Sequence, residues 1–243
     1  MLKTRLTLPK QQSVHYHYSD ILHDALVNAW VAAGISADEV TGMSARPWNF
    51  APLGKHQETN NMVHSLIVST PDPVLAKYLA QFNPQTIRYA RTSTSESVDF
   101  SAAHLAVEID PILPGQNALG VLTLSPIAIS DNTVNGSKRW HKHLDQFDLS
   151  AAINHRLSRL AGRELKLQVQ ADSLYLRCNP EHSILVPIKQ MPNGKLAYVI
   201  GMSAPLVLIG SEDDLRFAWY AGLGEKTRNG FGCIGLAEQG IGR

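Results

Sequence analysis

Near the C-terminus, Gly222, Gly224, Gly230 and Gly232 alternate with Lys226, Arg228 and Asn229 in Ala221-Gly222-Leu223-Gly224-Glu225-Lys226-Thr227-Arg228-Asn229-Gly230-Phe231-Gly232. Glycine has no Cβ, so such a backbone can run close to something bulky, while the lysine, arginine and asparagine place cationic and amide donors between the approaches. That combination suits a polyanion. The apolar run Leu206 to Ile209 and the helix-patterned segment Glu212 to Tyr220 come first, so the loop follows a helix and leads into a final strand at Phe231 to Leu236. A dinucleotide or P-loop site needs strand, glycine loop and helix in that order, with spacings this loop does not have. A nucleotide cofactor is therefore not expected.

A second concentration of chemistry lies upstream. Between residues 131 and 166, Lys138, Arg139, Lys142, Arg156, Arg159, Arg163 and Lys166 stand against Asp131, Asp145, Asp148 and Glu164, a local excess of three positive charges in a chain of formal net charge +1. Any nucleic-acid surface would thus be a patch, not the field of the whole molecule. The same residues would serve equally as a solvated helix face. Cys178 and Cys233 are the only cysteines and form no C-x-x-C, which excludes zinc ribbons and redox motifs. No His/Asp/Glu cluster stands at ligand spacing, so neither a metal nor a cofactor is expected.

These residues must be positioned by a chain of 243 residues, enough for one large domain or two of about 120 each. Hydrophobic residues make up 44% and charged residues 18%, and the apolar runs are only strand-length, so no membrane segment is expected. Met1 to Pro9 alternates like a strand and lacks the features of a signal peptide, which points to the cytoplasm. The first half reads as a strand at Leu2 to Leu8, a helix at Ser19 to Ala33 and an irregular connection containing Gly42, Pro47, Pro52 and Gly54. A strand at Met62 to Ser69, a helix opening at Pro71-Asp72-Pro73 and running to about Phe82, and a strand at His104 to Ile109 follow. The second half reads as a strand at Ala118 to Ile129, a helix near Leu149 to Ala161, strands around Leu165 to Gln170, Leu174 to Leu176 and Leu196 to Met202, a helix at Glu212 to Tyr220 and the last strand. Read as β-α-β-β-α-β twice over, the fold class is α+β, two tandem ferredoxin-like (RRM-like) units with a central cleft. They divide into 1–115 and 116–243 at the turn Pro114-Gly115-Gln116-Asn117.

At this point Gly222-Leu223-Gly224-Glu225-Lys226-x-x-x-Gly230-Phe231-Gly232 resembles the C-terminal signature of the CRISPR-associated endoribonucleases of the RAMP superfamily. Leu122 to Ile127 is similar to that family's Ser-Pro-Ile strand opening the second half, and Asn49 to Leu53 resembles the segment after its first helix. The resemblance implies metal-independent cleavage of CRISPR repeat transcripts into guide RNAs, with 2′,3′-cyclic phosphate and 5′-hydroxyl ends and retention of the product. It implies repeat RNA as the partner, and other subunits of a CRISPR ribonucleoprotein as further partners. The alternative is a non-catalytic RNA-binding subunit of the same superfamily.

Cutting RNA without a metal uses the substrate's 2′-hydroxyl as nucleophile, so the protein must supply proton transfer and positive charge near the phosphorane. Histidine suits the proton transfers, and the chain has ten. His23, in Ile21-Leu22-His23-Asp24-Ala25-Leu26, matches the first-helix setting in which branches of the family carry their catalytic histidine, at the edge of an apolar helix face. Tyr18, just before that helix, is a candidate contact to the scissile phosphate. Other members use a histidine in the following loop, but here Glu39 to Gly42 and Arg46-Pro47-Trp48 contain none. Arg46 then takes the cationic role, with Lys55 and His56 behind it. Lys138, Arg139, Trp140, Lys142, Arg156 and Arg159 are expected to bind RNA, together with Gly222, Gly224, Lys226, Arg228, Asn229 and Gly230 of the loop.

Overall fold

The computed structural model describes residues 1–55, 61–91, 95–131 and 139–237. Its first half runs β1 (Leu2–Thr7), β2 (Val14–Tyr16), α1 (Ser19–Ala32), α2 (Ala37–Thr41), β3 (Asn49–Lys55), β4 (Asn61–Thr70), α3 (Pro73–Leu79), the hairpin β5 (Arg88–Arg91) and β6 (Glu96–Asp99), and β7 (His104–Val107). The second runs β8 (Ala118–Thr123), the short pair β9 (Ser130–Asp131) and β10 (Arg139–Trp140), α4 (Leu149–Ala161), β11 (Gln168–Ala171) and α5 (Ser173–Cys178). The hairpin β12 (Ser183–Gln190) and β13 (Leu196–Met202), then β14 (Pro205–Ile209), α6 (Glu212–Ala221) and β15 (Ile234–Leu236), complete it.

Each half is a ferredoxin-like unit. In the first, β1 is antiparallel to β4 on one side and β7 on the other, and β3 pairs with β4. In the second, β8 lies between β14 and β15, and β11 pairs with β14. The spatial order, second strand, third, first, fourth, is the same in both open sheets. Alternation decides which face is buried: Leu119 and Val121 of β8 and Leu206 and Leu208 of β14 point into the core while their neighbours face outward.

Helix α1 buries Ile21, Leu22, Ala25, Leu26, Ala29 and Trp30, a stripe at three- and four-residue spacing. Helix α4 buries Leu149, Ile153 and Leu157; Asp148 caps its start and Gly162, in the left-handed region at φ 65°, ends it. Ser150, Asn154 and Ser158, again four apart, bond to backbone of the segment Leu165 to Val169. Each fully buried leucine, isoleucine or phenylalanine contributes about 1.5–3 kcal/mol.

Four strand expectations are corrected. Asn49 to Lys55, expected to be irregular, forms β3, with Pro52 in it and a bulge between Leu53 and Gly54 that absorbs the misfit. The third strand of the second sheet is β14, whereas Leu196 to Met202 pairs with β12 in a separate hairpin. Leu174 to Leu176 lies in α5, because the Asp172 carboxylate accepts from the amides of Leu174 and Tyr175 and starts a helical turn. The strand at Ala118 ends at Thr123, before Pro126.

The two units are bonded along a buried seam. Asn49 Nδ2 and Ser69 Oγ both donate to the Tyr220 carbonyl, at 2.8 and 2.9 Å. Lys3, fully buried on β1, donates from Nζ to the Ile234 carbonyl at 2.6 Å and the Trp219 carbonyl at 3.3 Å, and lies 3.6 Å from the Trp219 ring centroid. Burial lowers its pKa from the usual lysine range. Lys3→Ala removes the stem and leaves two carbonyls without this donor, so a loss of about 3 kcal/mol is expected in denaturant titration. A loss below about 1 kcal/mol would show that the seam does not depend on this ammonium.

Candidate active site

Helix α1 enters the site with its start held from outside. Tyr18, the N-cap residue, supplies no side-chain cap; instead Glu96 Oε1, on β6, accepts from the backbone amides of His17 and Tyr18, placing a buried carboxylate at the positive end of the helix. Arg91 on β5 bonds Asp20 at 3.0 Å and Asp24 at 2.9 Å, clamping the turn that carries His23.

His23 is half-buried at the edge of the apolar stripe. Its Nδ1 lies 2.7 Å from the carbonyl oxygen of Arg228, in the glycine loop 205 residues away. A carbonyl only accepts, so Nδ1 carries the hydrogen and Nε2 is left as the basic nitrogen of the neutral ring. The ring stacks on Trp48, centroids 5.5 Å apart and planes 18° apart, a contact worth about 0.5–1.5 kcal/mol. Trp48 Nε1 donates to the Val40 carbonyl at 2.9 Å, and Arg228 Nη1 donates to the same oxygen at 3.1 Å and to that of Gly42 at 3.2 Å. His23, Trp48, Val40 and Arg228 thus close a ring of contacts in which the imidazole has one orientation. Trp48 and Val40 had no signal in the sequence, since nothing local distinguishes a tryptophan that backs an imidazole from one that fills a core.

The loop's glycines serve this docking. A Cβ on Gly230, at φ 82°, would lie 3.0 Å from the Phe50 ring, which itself stacks on Trp48; on Gly222 it would lie 2.8 Å from the Gly232 carbonyl and 3.3 Å from the Asn49 side chain. The bulky neighbour inferred from the glycine spacing is therefore the protein's own first unit and the loop's returning backbone. Gly224 likewise backs onto the Ala128 carbonyl.

The cations are sorted by their partners. Arg228 is half-buried, its pKa lowered by burial, and its Nη1 donates to two protein carbonyls, which positions the loop. Arg46 donates to Glu39 at 3.3 Å and Asp72 at 3.1 Å; it ties α2 to the start of α3, and the cationic role expected of it is not supported by this pairing. Lys226 is exposed and Asn229 half-buried in the loop. Glu225 accepts from the amide and hydroxyl of Ser130. Arg156, on α4, is half-buried, and its Nε is hidden from solvent without a hydrogen-bond partner. Burial first, then repulsion from Arg159 and Arg228 set against attraction from Glu225, lowers its pKa. Arg159 and Lys142 are exposed.

Trp140 is half-buried and packs against the cluster of Ala128, Val199 and Phe231, so it anchors its segment. Lys138 and His56 lie outside the described residues, as does the side chain of Arg139, whose backbone pairs with Asp131. The structure therefore brings together His23 and Arg228. Arg46 is held by its two carboxylates, and Tyr18 remains at the helix start.

Among described residues, no helix is long and apolar enough to cross a membrane. The chain resembles several solved structures over nearly its whole length. A Cas6-related protein from Pyrococcus furiosus is 15% identical, with 98% of this chain and 99% of that one covered and a TM-score of 0.70. A RAMP protein described as binding different RNA substrates is 15% identical, with 97% and 99% covered and a TM-score of 0.63. A Cas6 product complex is 14% identical, with 97% and 98% covered and a TM-score of 0.58. At such identities the likeness speaks for the fold. No curated protein sequence matches the chain at a significant level. The family model described as CRISPR associated protein Cas6, C-terminal, matches residues 111–236, just over half of the chain and all of the glycine loop. This chain belongs to the Cas6 family of CRISPR-associated proteins.

Proposed function

We propose that this protein is a metal-independent endoribonuclease that cuts CRISPR repeat transcripts into guide RNAs in the cytoplasm and retains the product. The observation that supports this most is the bond from His23 Nδ1 to the Arg228 carbonyl, which presents Nε2 as a base beside the loop that marks the family. His23 Nε2 takes the proton of the substrate's 2′-hydroxyl. The 2′-oxygen then bonds to the adjacent phosphorus as the bond from phosphorus to the 5′-oxygen breaks, and the departing oxygen is protonated by water. The products are a 2′,3′-cyclic phosphate and a 5′-hydroxyl. Tyr18 and Lys226, at the helix start and the exposed part of the loop, are assigned to contacts with the RNA. Lys142 and Arg159, both exposed, extend that contact, and Lys138 and Arg139 are assigned to it by sequence. The units proposed to divide this labour are 1–115, with the imidazole, and 116–243, with the loop.

The test uses repeat RNA from the protein's own genomic neighbourhood. Cleavage in excess EDTA is expected at the rate seen without it, and the cut ends are expected to be a cyclic phosphate and a 5′-hydroxyl. Loss of activity on chelation, or 3′-hydroxyl ends, would show a different chemistry.

A further inference from the structure

Helix α1 is held from two flanks. On one, His23 Nδ1 meets the Arg228 carbonyl at 2.7 Å. On the other, β5 tethers three side chains spaced four residues apart. Arg91 Nη1 meets Asp20 Oδ1 at 3.0 Å, its Nη2 meets Asp24 Oδ2 at 2.9 Å, and Asn28 Nδ2 donates to the Arg88 carbonyl at 3.0 Å. A row of that spacing lies along one side of a helix and holds it against rotation about its axis. The fork of Arg91 also divides one positive charge between the two carboxylates that flank the imidazole. Asp20 stands three residues before His23, a spacing that puts Cβ atoms about 5–6 Å apart, and Asp24 follows it directly. The side chains of Arg91 and Asp20 are only 18% and 17% exposed, so salt and water screen this charge poorly.

The other charges on described elements packed against α1 face different partners or solvent. Glu96 pairs with His17 at the helix start, Glu39 with Arg46, and Arg228 with its two carbonyls. Arg88 stands opposite Asp99 in the β5 and β6 ladder, and Asp38 on α2, Lys189 on β12 and Lys226 of the loop are exposed. We propose that Arg91 is a positioning residue for the cut: by pairing Asp20 and Asp24 it keeps their charge from His23, so that Nε2 is free to take the proton of the 2′-hydroxyl. This rests on the assignment of His23 as the base. Without Arg91, two unpaired carboxylates beside the ring favour the imidazolium, which has no lone pair to accept a proton. An imidazole beside an anion keeps its proton to higher pH, so cleavage is lost near neutrality and regained above it.

The experiment measures single-turnover cleavage of repeat RNA at saturating enzyme from pH 5.5 to 8.5, with melting temperatures of the free proteins. Arg91→Met is expected to displace the acid limb of the profile by about one pH unit upward. Cleavage is then about tenfold slower than native at pH 6 and within about twofold of it at pH 8.5. Arg91→Lys, which keeps the charge, is expected to keep the native limb. The triple variant Arg91→Met, Asp20→Asn, Asp24→Asn removes all three charges and is expected to return the limb to its native place, even at a lower melting temperature. Asp20→Asn with Asp24→Asn, which leaves Arg91 unpaired, should move it the opposite way. An unmoved limb in Arg91→Met, a loss of rate as large at pH 8.5 as at pH 6, or a limb that stays displaced in the triple variant would each overturn the proposal. If His23→Asn cuts normally, the underlying reading fails; if His23→Asn is inactive and only the Arg91 results fail, the proposal alone is wrong.

Discussion

His23→Asn is expected to bind repeat RNA as tightly as the native chain and to cut it about 10³-fold more slowly, within the range that positioned acid–base groups contribute. Asparagine is the informative replacement because its amide can still donate to the Arg228 carbonyl, while it offers no basic nitrogen in place of Nε2. Loop docking is then preserved and proton transfer is lost. Single-turnover cleavage with matched binding curves reads the two apart. Unimpaired cleavage would move the base elsewhere on the protein. A native chain that binds repeat RNA but never cuts it would instead favour the non-catalytic RNA-binding role.

Gly232→Ala is expected to lower stability by more than about 4 kcal/mol, which is exceptional for one methyl group. Gly232 has φ 70°, and a Cβ there would point into the Leu223 carbonyl oxygen. The loop cannot widen without breaking the bonds from the Leu223 amide to the Gly232 carbonyl and from the Gly232 amide to the Pro126 carbonyl, 2.8 and 2.9 Å long. Gly162 is the internal control: it has φ 65° but nothing within 4 Å of a built Cβ, so Gly162→Ala should lose only about 1–2 kcal/mol from backbone strain. Denaturant titration of both variants decides the matter. Equal losses would mean that only the backbone conformation matters and that the glycine spacing has no packing role.

Much of the plan was legible because it is local. The four-residue spacing of apolar positions gives α4 at Leu149–Ala161 as expected, and α1 to within one residue. The glycine loop follows a helix and precedes a strand, as its neighbours indicated. Where pairing decides, local pattern was not enough. Leu196 to Met202 and Pro205 to Ile209 are both strand-length apolar runs, and only their partners show that β14 enters the main sheet. Pro52 and Gly54 disguised β3, whose proline position is tolerated because the strand pairs on one side only, with β4.

Residue types and short-range spacing, which the chain carries in itself, determined that it folds as two ferredoxin-like units, that an imidazole sits on the first helix and that a glycine-rich, cation-bearing loop closes the chain. Which of those cations remain open to a substrate was decided by tertiary structure. Arg46 meets Asp72 across 26 residues, Arg228 meets Val40 across 188, and His23 meets the loop across 205. Whether a charge is neutralised, buried or left unpaired depends on distances of a few ångströms between such segments, and Coulomb and hydrogen-bond energies at that range come only from the assembled fold.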